Sequence, residues 1–353
     1  MLAELRLRQF RSYIDDSFEF DPGVNIIVGP NASGKTNLLE AVLVSARGSS
    51  YRVKDTELIS FDAPWARLEA RLPTGGSRVI KLTRETKPTK QFLIDDKPYL
   101  RLTLQKRLPV VLFEPDHLRL LSGGPDRRRT YLDDLLEQTV PGYGSLRRQY
   151  VRTLMQRNSL LKQVSGDARS QLFPWDVRLA HLGGQIVRAR SRLVEEIANL
   201  LPHLYMDIAH GQKHVGIKYT CQADVEGYET ALLTKLEASI DNDKLRGFTG
   251  SGPHRDDLLV SIDGHVASEV ASRGEVRTII LALKIIELEL LKAARDSTPL
   301  LLLDDVFSEL DGARRHALTD KLAPFQTFIT TTDADVIVHQ FVEKCRVIPL
   351  LSR

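Results

Sequence analysis

The sequence predicts an α/β fold in which one sheet domain is cut in two by a mostly helical insertion. Three observations predict it. A short apolar run, Val24 to Val28, ends at a glycine loop and is followed by a helical pattern. A second apolar run, Leu300 to Leu303, ends in two aspartates. Between them, from about 121 to 215, the apolar residues fall at helical spacing with many arginines on the other faces.

Taken in order, residues 1 to about 110 read as β with one helix. Leu2, Leu5 and Leu7 suggest a first strand, broken near Arg11-Ser12-Tyr13. Phe18 and Phe20 suggest a second, and Val24 to Val28 a third, buried one. Asn37 to Ala46 reads as a helix. Alternating stretches follow at Ala66 to Leu72, Val79 to Thr83 and Phe92 to Ile94, the last before an Asp95-Asp96 turn. Helical segments follow at 130–138, 144–165 and 175–200, punctuated by Pro141-Gly142 and Ser165-Gly166. Residues 215 to 265 look mixed, with Lys218-Tyr219 in a strand. Ile279 to Ala294 is a helix, Leu300 to Leu303 a buried strand, Ala313 to Leu322 a helix and Phe328 to Thr330 a strand. The expected division is 1–120 and 241–353 for the two halves of the sheet domain, and 121–240 for the helical lobe.

The chain has 353 residues, 42% of them hydrophobic, which allows a sizeable core without disulfides or metal. Cys221 and Cys345 stand far apart without metal-ligand spacing, which fits a reducing compartment. The start lacks the apolar core of a signal peptide, and no apolar run reaches the length of a membrane span. A soluble, cytoplasmic protein with no membrane partner is expected. The formal net charge is only +3, but residues 121–220 carry 15 Lys and Arg against 9 Asp and Glu. Positive charge is therefore concentrated in the helical insertion. A solvated helical face explains that as readily as a surface for a phosphate backbone.

Gly29-Pro30-Asn31-Ala32-Ser33-Gly34-Lys35-Thr36 matches G-x-x-x-x-G-K-[ST], with a strand before it and a helix after. The glycines let the backbone wrap a phosphate chain, and the first amides of the helix face the anion. Lys35 is placed for the β- and γ-phosphates of ATP, and Thr36 for Mg²⁺. A chance match in a glycine turn is the bland alternative, and both flanks argue against it. The matching acid is Asp304, at the C-terminal end of the Leu300 to Leu303 strand, where it would hold Mg²⁺ through water. Asp305 falls where a carboxylate that activates water is wanted. Asp305 is one methylene shorter than the usual Glu, which predicts slow ATP hydrolysis.

Lys35 and Asp304 are 269 residues apart. That layout is the split head of ABC and SMC-like ATPases, in which two subunits close two ATP sites and a signature loop acts in trans. Leu121-Ser122-Gly123-Gly124 is literally LSGG, but Pro125 and an arginine run follow it. Ser272-Arg273-Gly274-Glu275 opens a long helix 32 residues before Asp304 and is the better candidate. Ser308 to Asp311 reads as a D-loop. Thr332 stands where a switch histidine is common, which makes hydrolysis less secure than binding. His254-Arg255-Asp256 invites a kinase reading, which the Walker-type loop and the absence of D-F-G exclude.

Leu7-Arg8-Gln9-Phe10-Arg11-Ser12-Tyr13, Gly123 to Asp133 with its Gly-Pro-x-x-Arg-Arg core, Gln156-Arg157-Asn158, Trp175-Asp176, Gly252-Pro253-His254-Arg255-Asp256-Asp257 and Asp304 to Asp311 together resemble the bacterial RecF family over almost the whole chain. Glu275 stands where these proteins often carry Gln. The resemblance implies an SMC-head-like ATPase of two lobes without the long coiled coil. It also implies an ATP-dependent homodimer, DNA as a partner, and RecO and RecR as partners in loading RecA at single-strand gaps. Arg11 would reach the nucleotide or merely end a strand. Arg128, Arg129, Arg147 and Arg148 are candidate DNA contacts; for Arg128 and Arg129 the alternative is pairing with Asp133 and Asp134. A transporter ATPase subunit would need a membrane partner. A nuclease component would need an appended metal domain or long heptad arms, and neither is seen.

Overall fold

The structure, a computed structural model, describes residues 1–85, 88–163, 167–209, 212–306, 312–332 and 345–351. The candidate D-loop, Ser308 to Asp311, lies outside the described residues. The chain forms two compact units: Met1–Leu118 with Lys284–Arg353, and Arg119–Leu283. The first cut falls within two residues of the expected 120. The second falls after Leu283 rather than at 240, so Ser272 to Glu275 group with the helical unit.

The first unit opens with a hairpin, β1 (Glu4–Phe10) and β2 (Tyr13–Glu19), then β3 (Val24–Val28) and α1 (Lys35–Arg47). Next come β4 (Trp65–Arg71), β5 (Ser77–Thr83), β6 (Thr89–Ile94), β7 (Lys97–Tyr99) and β8 (Val110–Phe113). The second unit contains α2 (Arg119–Ser122), α3 (Pro125–Thr139), α4 (Tyr143–Leu161), α5 (Ala168–Ala209) and β9 (Val215–Thr220). It continues with α6 (Tyr228–Ala238), α7 (Ile240–Arg246), β10 (Asp257–Ile262), β11 (His265–Val266) and α8 (Ala267–Val270). Helix α9 (Arg273–Ala294) carries the chain back to the first unit, which ends with β12 (Leu300–Asp304), α10 (Gly312–Leu322), β13 (Gln326–Thr331) and β14 (Cys345–Pro349).

Two sheets organise the first unit. One is antiparallel, in the order β2-β1-β4-β5-β6-β7; the other is parallel, in the order β14-β3-β13-β12-β8. Helix α1 touches strands of both sheets, which explains its composition. Every residue from Leu38 to Ala46 is buried, and a helix covered on all sides has no use for a polar face. The exceptions are Ser45 and Glu40, and the Glu40 carboxylate is partnered by Arg11 and Ser50. Strand β12 is buried at all five positions, as expected of a central strand of a parallel sheet. Strands β8 and β14, which the sequence reading did not single out, flank this sheet.

The second unit is held by buried ion pairs as well as apolar packing. Arg157, wholly buried, donates to Asp176 at 2.5 Å, Asp243 at 2.8 Å and Thr249 at 2.8 Å. Asn158 accepts from the Thr249 amide and hydroxyl. The Gln-Arg-Asn and Trp-Asp segments are thus two halves of one joint. Strands β11, β10 and β9 form a small antiparallel sheet, with Thr220 opposite Asp257. Among the described residues no helix is long and apolar enough to cross a membrane.

Candidate functional site

The candidate site lies at the C-terminal edge of the parallel sheet, where β3, β12, β13 and β8 deliver their last residues. Beyond β3, Ala32 (φ +66°) and Gly34 (φ +99°) turn the chain through left-handed conformations into α1. Gly34 is required there twice. Its φ suits only glycine, and a Cβ would meet Ser12 Oγ and the Tyr13 hydroxyl at 3.1 Å. The Tyr13 hydroxyl donates to Gly34 O at 3.0 Å, which ties the loop to the first hairpin. Gly29 is pressed by Leu350, whose carbonyl would lie 2.6 Å from a Cβ. The opening amides of α1 have no partner within the helix, which leaves them to an anion at this end. Ser33 Oγ is buried without a hydrogen bond.

Lys35 lies over the loop and donates to Gly29 O at 2.7 Å and Pro30 O at 2.9 Å. Thr36 Oγ1 donates to Asp304 Oδ1 at 3.1 Å. The two residues read from sequence as Mg²⁺ partners, 268 positions apart, therefore meet. Thr330, opposite Asp304 in the β12–β13 register, organises this edge. Its hydroxyl donates to Asp304 Oδ1 at 2.8 Å and accepts from the Asp305 amide at 2.9 Å. Asp304 is buried, while Asp305 turns outward with φ +53°. Thr330 belongs to a segment singled out for Thr332; Thr332 itself is exposed just past β13.

A polymer of donors and anion-facing amides with one threonine–aspartate pair suits a phosphate chain and its cation. Among the described residues no group of three His, Cys, Asp or Glu could hold a metal ion alone. A magnesium ion, which keeps most of its waters and leans on phosphate oxygens, needs only such a pair from the protein.

The sequence reading missed Glu114. It follows β8, whose Phe113 pairs with Leu303, so Glu114 and Asp304 leave neighbouring parallel strands side by side. Burial pushes the Glu114 carboxyl up; a hydrogen bond from Tyr51 and the charge of Arg52 pull it down, and Asp304 and Asp116 push it up again. An acid closing a Val-Val-Leu-Phe run, in the manner of Asp304 after its leucines, was the available signal.

Arg11 is held inside the unit. It donates to both Glu40 oxygens, at 2.8 and 3.2 Å, and to Glu57 O at 3.1 Å. It also lines an open recess of about 640 Å³ with Ser12, Asn37, Thr56, Phe61 and Arg84, beside the start of α1.

Ser272 precedes α9 in a reciprocal cap: its amide donates to Glu275 Oε2 at 2.7 Å, and the Glu275 amide donates to Ser272 Oγ at 3.3 Å. Gln fills this third helical position equally well, which explains physically why Glu275 is tolerated. Hydrogen bonds from Lys213 and from Ser272 hold the Glu275 carboxyl down to about 2. Arg273 is exposed, and Gly274 O accepts from Thr278. Leu121 and Ser122 end α2, and Gly123 and Gly124 link it to α3, with Gly123 O accepting from Arg128 at 2.6 Å.

Three of the four candidate DNA arginines are spent on internal partners. Arg128 grips Asp257 with two bonds, at 2.6 and 2.8 Å. Arg129 donates to Asp126 and to Asp256 O. Neither pairs with Asp133 or Asp134, the partners read from sequence. Asp133 instead takes Arg190, Arg147 and Tyr143, and Arg147 also binds Glu137. Sequence proximity favoured Asp133, whereas β10 brings in Asp256 and Asp257 from across the unit. Only Arg148 is exposed with no ion pair, beside the exposed Arg152, Val151 and Met155 of α4.

The RecF/RecN/SMC N-terminal domain family model matches residues 1–348. The DNA replication and repair protein RecF of Acetivibrio thermocellus is 34% identical over 350 residues, covering 96% of this chain and 95% of the relative. A solved structure of the recombination mediator protein RecF with ATP, in the RecFOR pathway, superposes with a TM-score of 0.84 at 32% identity, covering 94% and 92% of the two chains. An SMC head bound to the C-terminal winged-helix domain of ScpA has a TM-score of 0.54 at 16% identity, covering 96% and 91%, and shares the fold.

Proposed function

The chain belongs to the RecF family of DNA replication and repair proteins, with an ABC/SMC-type ATPase fold, and we propose from that premise that it is an ATP-operated DNA-binding switch. The observation that carries the proposal is the meeting of Thr36 and Asp304 at 3.1 Å beneath a loop of left-handed turns. The ATP-bound RecF structure supports ATP as the nucleotide.

The phosphates lie against the amides of Gly29 to Thr36, and Lys35 exchanges its two carbonyl partners for phosphate oxygens. The recess lined by Arg11, Asn37 and Phe61 takes the base and ribose. Thr36 and Asp304 would hold Mg²⁺, which when bound neutralises charge on the phosphates. Asp305 orients the attacking water; its short side chain on a backbone fixed by Thr330 gives slow turnover. Ser272 accepts the Glu275 amide through a lone pair, so its hydroxyl proton is left to reach the γ-phosphate of a second copy. ATP therefore closes a homodimer, and hydrolysis opens it. The closed form binds duplex DNA near gaps through α4, with Arg148 as the available cation, and acts with RecO and RecR to load RecA.

The test is fluorescence anisotropy of labelled duplex DNA with ATP, with ADP, and with Lys35→Ala plus ATP, paired with light scattering. Binding and dimerisation that require ATP and vanish in the variant are expected. DNA binding indifferent to nucleotide would refute the switch.

A further inference from the structure

The loop that opens α9 carries a charge at odds with its proposed role. Glu275 caps Ser272, the residue assigned to the γ-phosphate of a second copy. A carboxylate beside that hydroxyl repels the arriving phosphate. The helix start does not resolve the conflict, because its free amides favour either anion.

Lys213 does resolve it. Its ammonium lies 2.7 Å from Glu275 Oε1, while Oε2 accepts the Ser272 amide at 2.7 Å, so both carboxylate oxygens are engaged. The lysine leaves a fixed backbone. The next residue, His214, is pinned to the turn between β10 and β11: its amide donates to Asp263 Oδ1 at 2.8 Å, and the Asp263 amide donates to His214 O at 2.8 Å. From Val215 the chain is β9, with Val215 opposite Ile262 of β10. The Lys213 side chain is 55% exposed and that of Glu275 only 18%, so the cation is the member of the pair open to an incoming anion. Asp263 also attracts Lys213, and Arg273 is a second exposed cation at this end of α9.

We infer that Lys213 is a positioning residue of the signature loop: it cancels the Glu275 carboxylate, and so lets Ser272 meet the γ-phosphate bound by a second copy of this chain. The inference rests on the ATP-closed homodimer proposed above. It adds a residue from outside the signature segment, delivered by the β9–β10 pairing. The capping bonds set the shape of the loop, and the Lys213–Glu275 pair sets its charge.

The experiment measures dimerisation of the full chain by light scattering, with Mg²⁺ and either ATP or a non-hydrolysable ATP analogue, at low and high salt. The variants are Lys213→Ala, Lys213→Arg, Glu275→Gln and the double variant Lys213→Ala with Glu275→Gln, each checked by thermal melting. Nucleotide affinity is measured separately at protein concentrations too low for dimers. Gln keeps the cap, so the four charge states of the loop can be compared at constant shape. Lys213→Ala leaves the carboxylate bare and is expected to weaken the ATP dimer by about tenfold at low salt, the scale of one partly screened charge. Lys213→Arg keeps most of the wild-type affinity. Glu275→Gln frees the lysine and tightens the dimer. The double variant returns close to wild type, and all these differences shrink at high salt, while nucleotide affinity of the monomer stays the same throughout. A dimer unchanged by Lys213→Ala overturns the inference. So does a Glu275→Gln dimer as weak as that of Lys213→Ala, because the pair would then act through its bond rather than its charge. A wild-type chain that binds ATP and stays monomeric overturns the homodimer reading itself.

Discussion

Replacing Arg128 and Arg148 one at a time separates a structural arginine from a DNA contact. Arg128 makes two charged bonds to Asp257, at 2.6 and 2.8 Å, and one to Gly123 O at 2.6 Å. Removing one partner of a buried pair costs about 3–5 kcal/mol. Asp257 is a third exposed, so solvent takes up part of that loss and about 2 kcal/mol is the better figure for Arg128→Ala. In a unit of this size each kcal/mol moves the melting temperature by about 2–4 °C, so a fall of about 4–8 °C is expected by calorimetry. Arg148→Ala removes an exposed side chain with no ion pair and should leave melting unchanged. Its effect belongs to DNA binding: one phosphate contact fewer lowers the slope of log affinity against log salt by about 0.9, which is about fivefold in affinity near 0.15 M salt. The reasoning fails if Arg128→Ala melts like the wild type while lowering the salt slope, or if Arg148→Ala destabilises the fold.

Asp304→Asn should abolish ATP hydrolysis and reduce the Mg²⁺ dependence of ATP binding while leaving the fold intact, as read by phosphate release and melting. Gly34→Ala forces a side chain into φ +99° against Tyr13 and should cost about 1–2 kcal/mol, with nucleotide affinity falling at least about tenfold by calorimetry. Arg157→Met should destabilise by about 3–5 kcal/mol because it strands Asp176 and Asp243. Adding Asp176→Leu should recover part of that, and a double variant no more stable than the single one would refute the pairing. Two neighbouring groups oppose each other in acid. Burial pushes His254 down from 6.5 to about 4, so its neutral form stabilises the fold above 6.5 and that stability is lost as pH falls toward 4. Burial pushes Asp256 up from 3.8 to about 6, so the stability of its protonated form is present below 3.8 and lost as pH rises through 6. Each is worth about 3 kcal/mol at its limit. His254→Gln should therefore gain stability relative to wild type between pH 6.5 and 4, and Asp256→Asn should lose it; melting curves across that range give the sign.

Local pattern was enough for the phosphate loop, the leucine strand ending in Asp304, the cap at Ser272 and most helices. Each of these rests on short-range rules: a left-handed turn needs glycine, a central parallel strand needs an unbroken apolar run, and a helix start needs a side chain for its free amides. The pairing of Thr36 with Asp304 was also legible, because two motifs with one shared ligand must meet.

The partners of the arginines were not legible in this way. Arg128 faces acids five and six residues ahead in sequence and instead binds one 129 residues away, because α3 packs against β10. Glu114 closes a strand that was not singled out from sequence, and only the β8–β12 register set it beside Asp304. Residues 241 to 283 read as part of the ATPase half, yet they pack with the helical unit. What the sequence by itself determined is the set of local conformations and the residue types able to hold phosphate. Which charges cancel one another, and which remain for a ligand, only the tertiary structure decided, because ion pairing depends on distance in space and the chain returns to each point from far along its length.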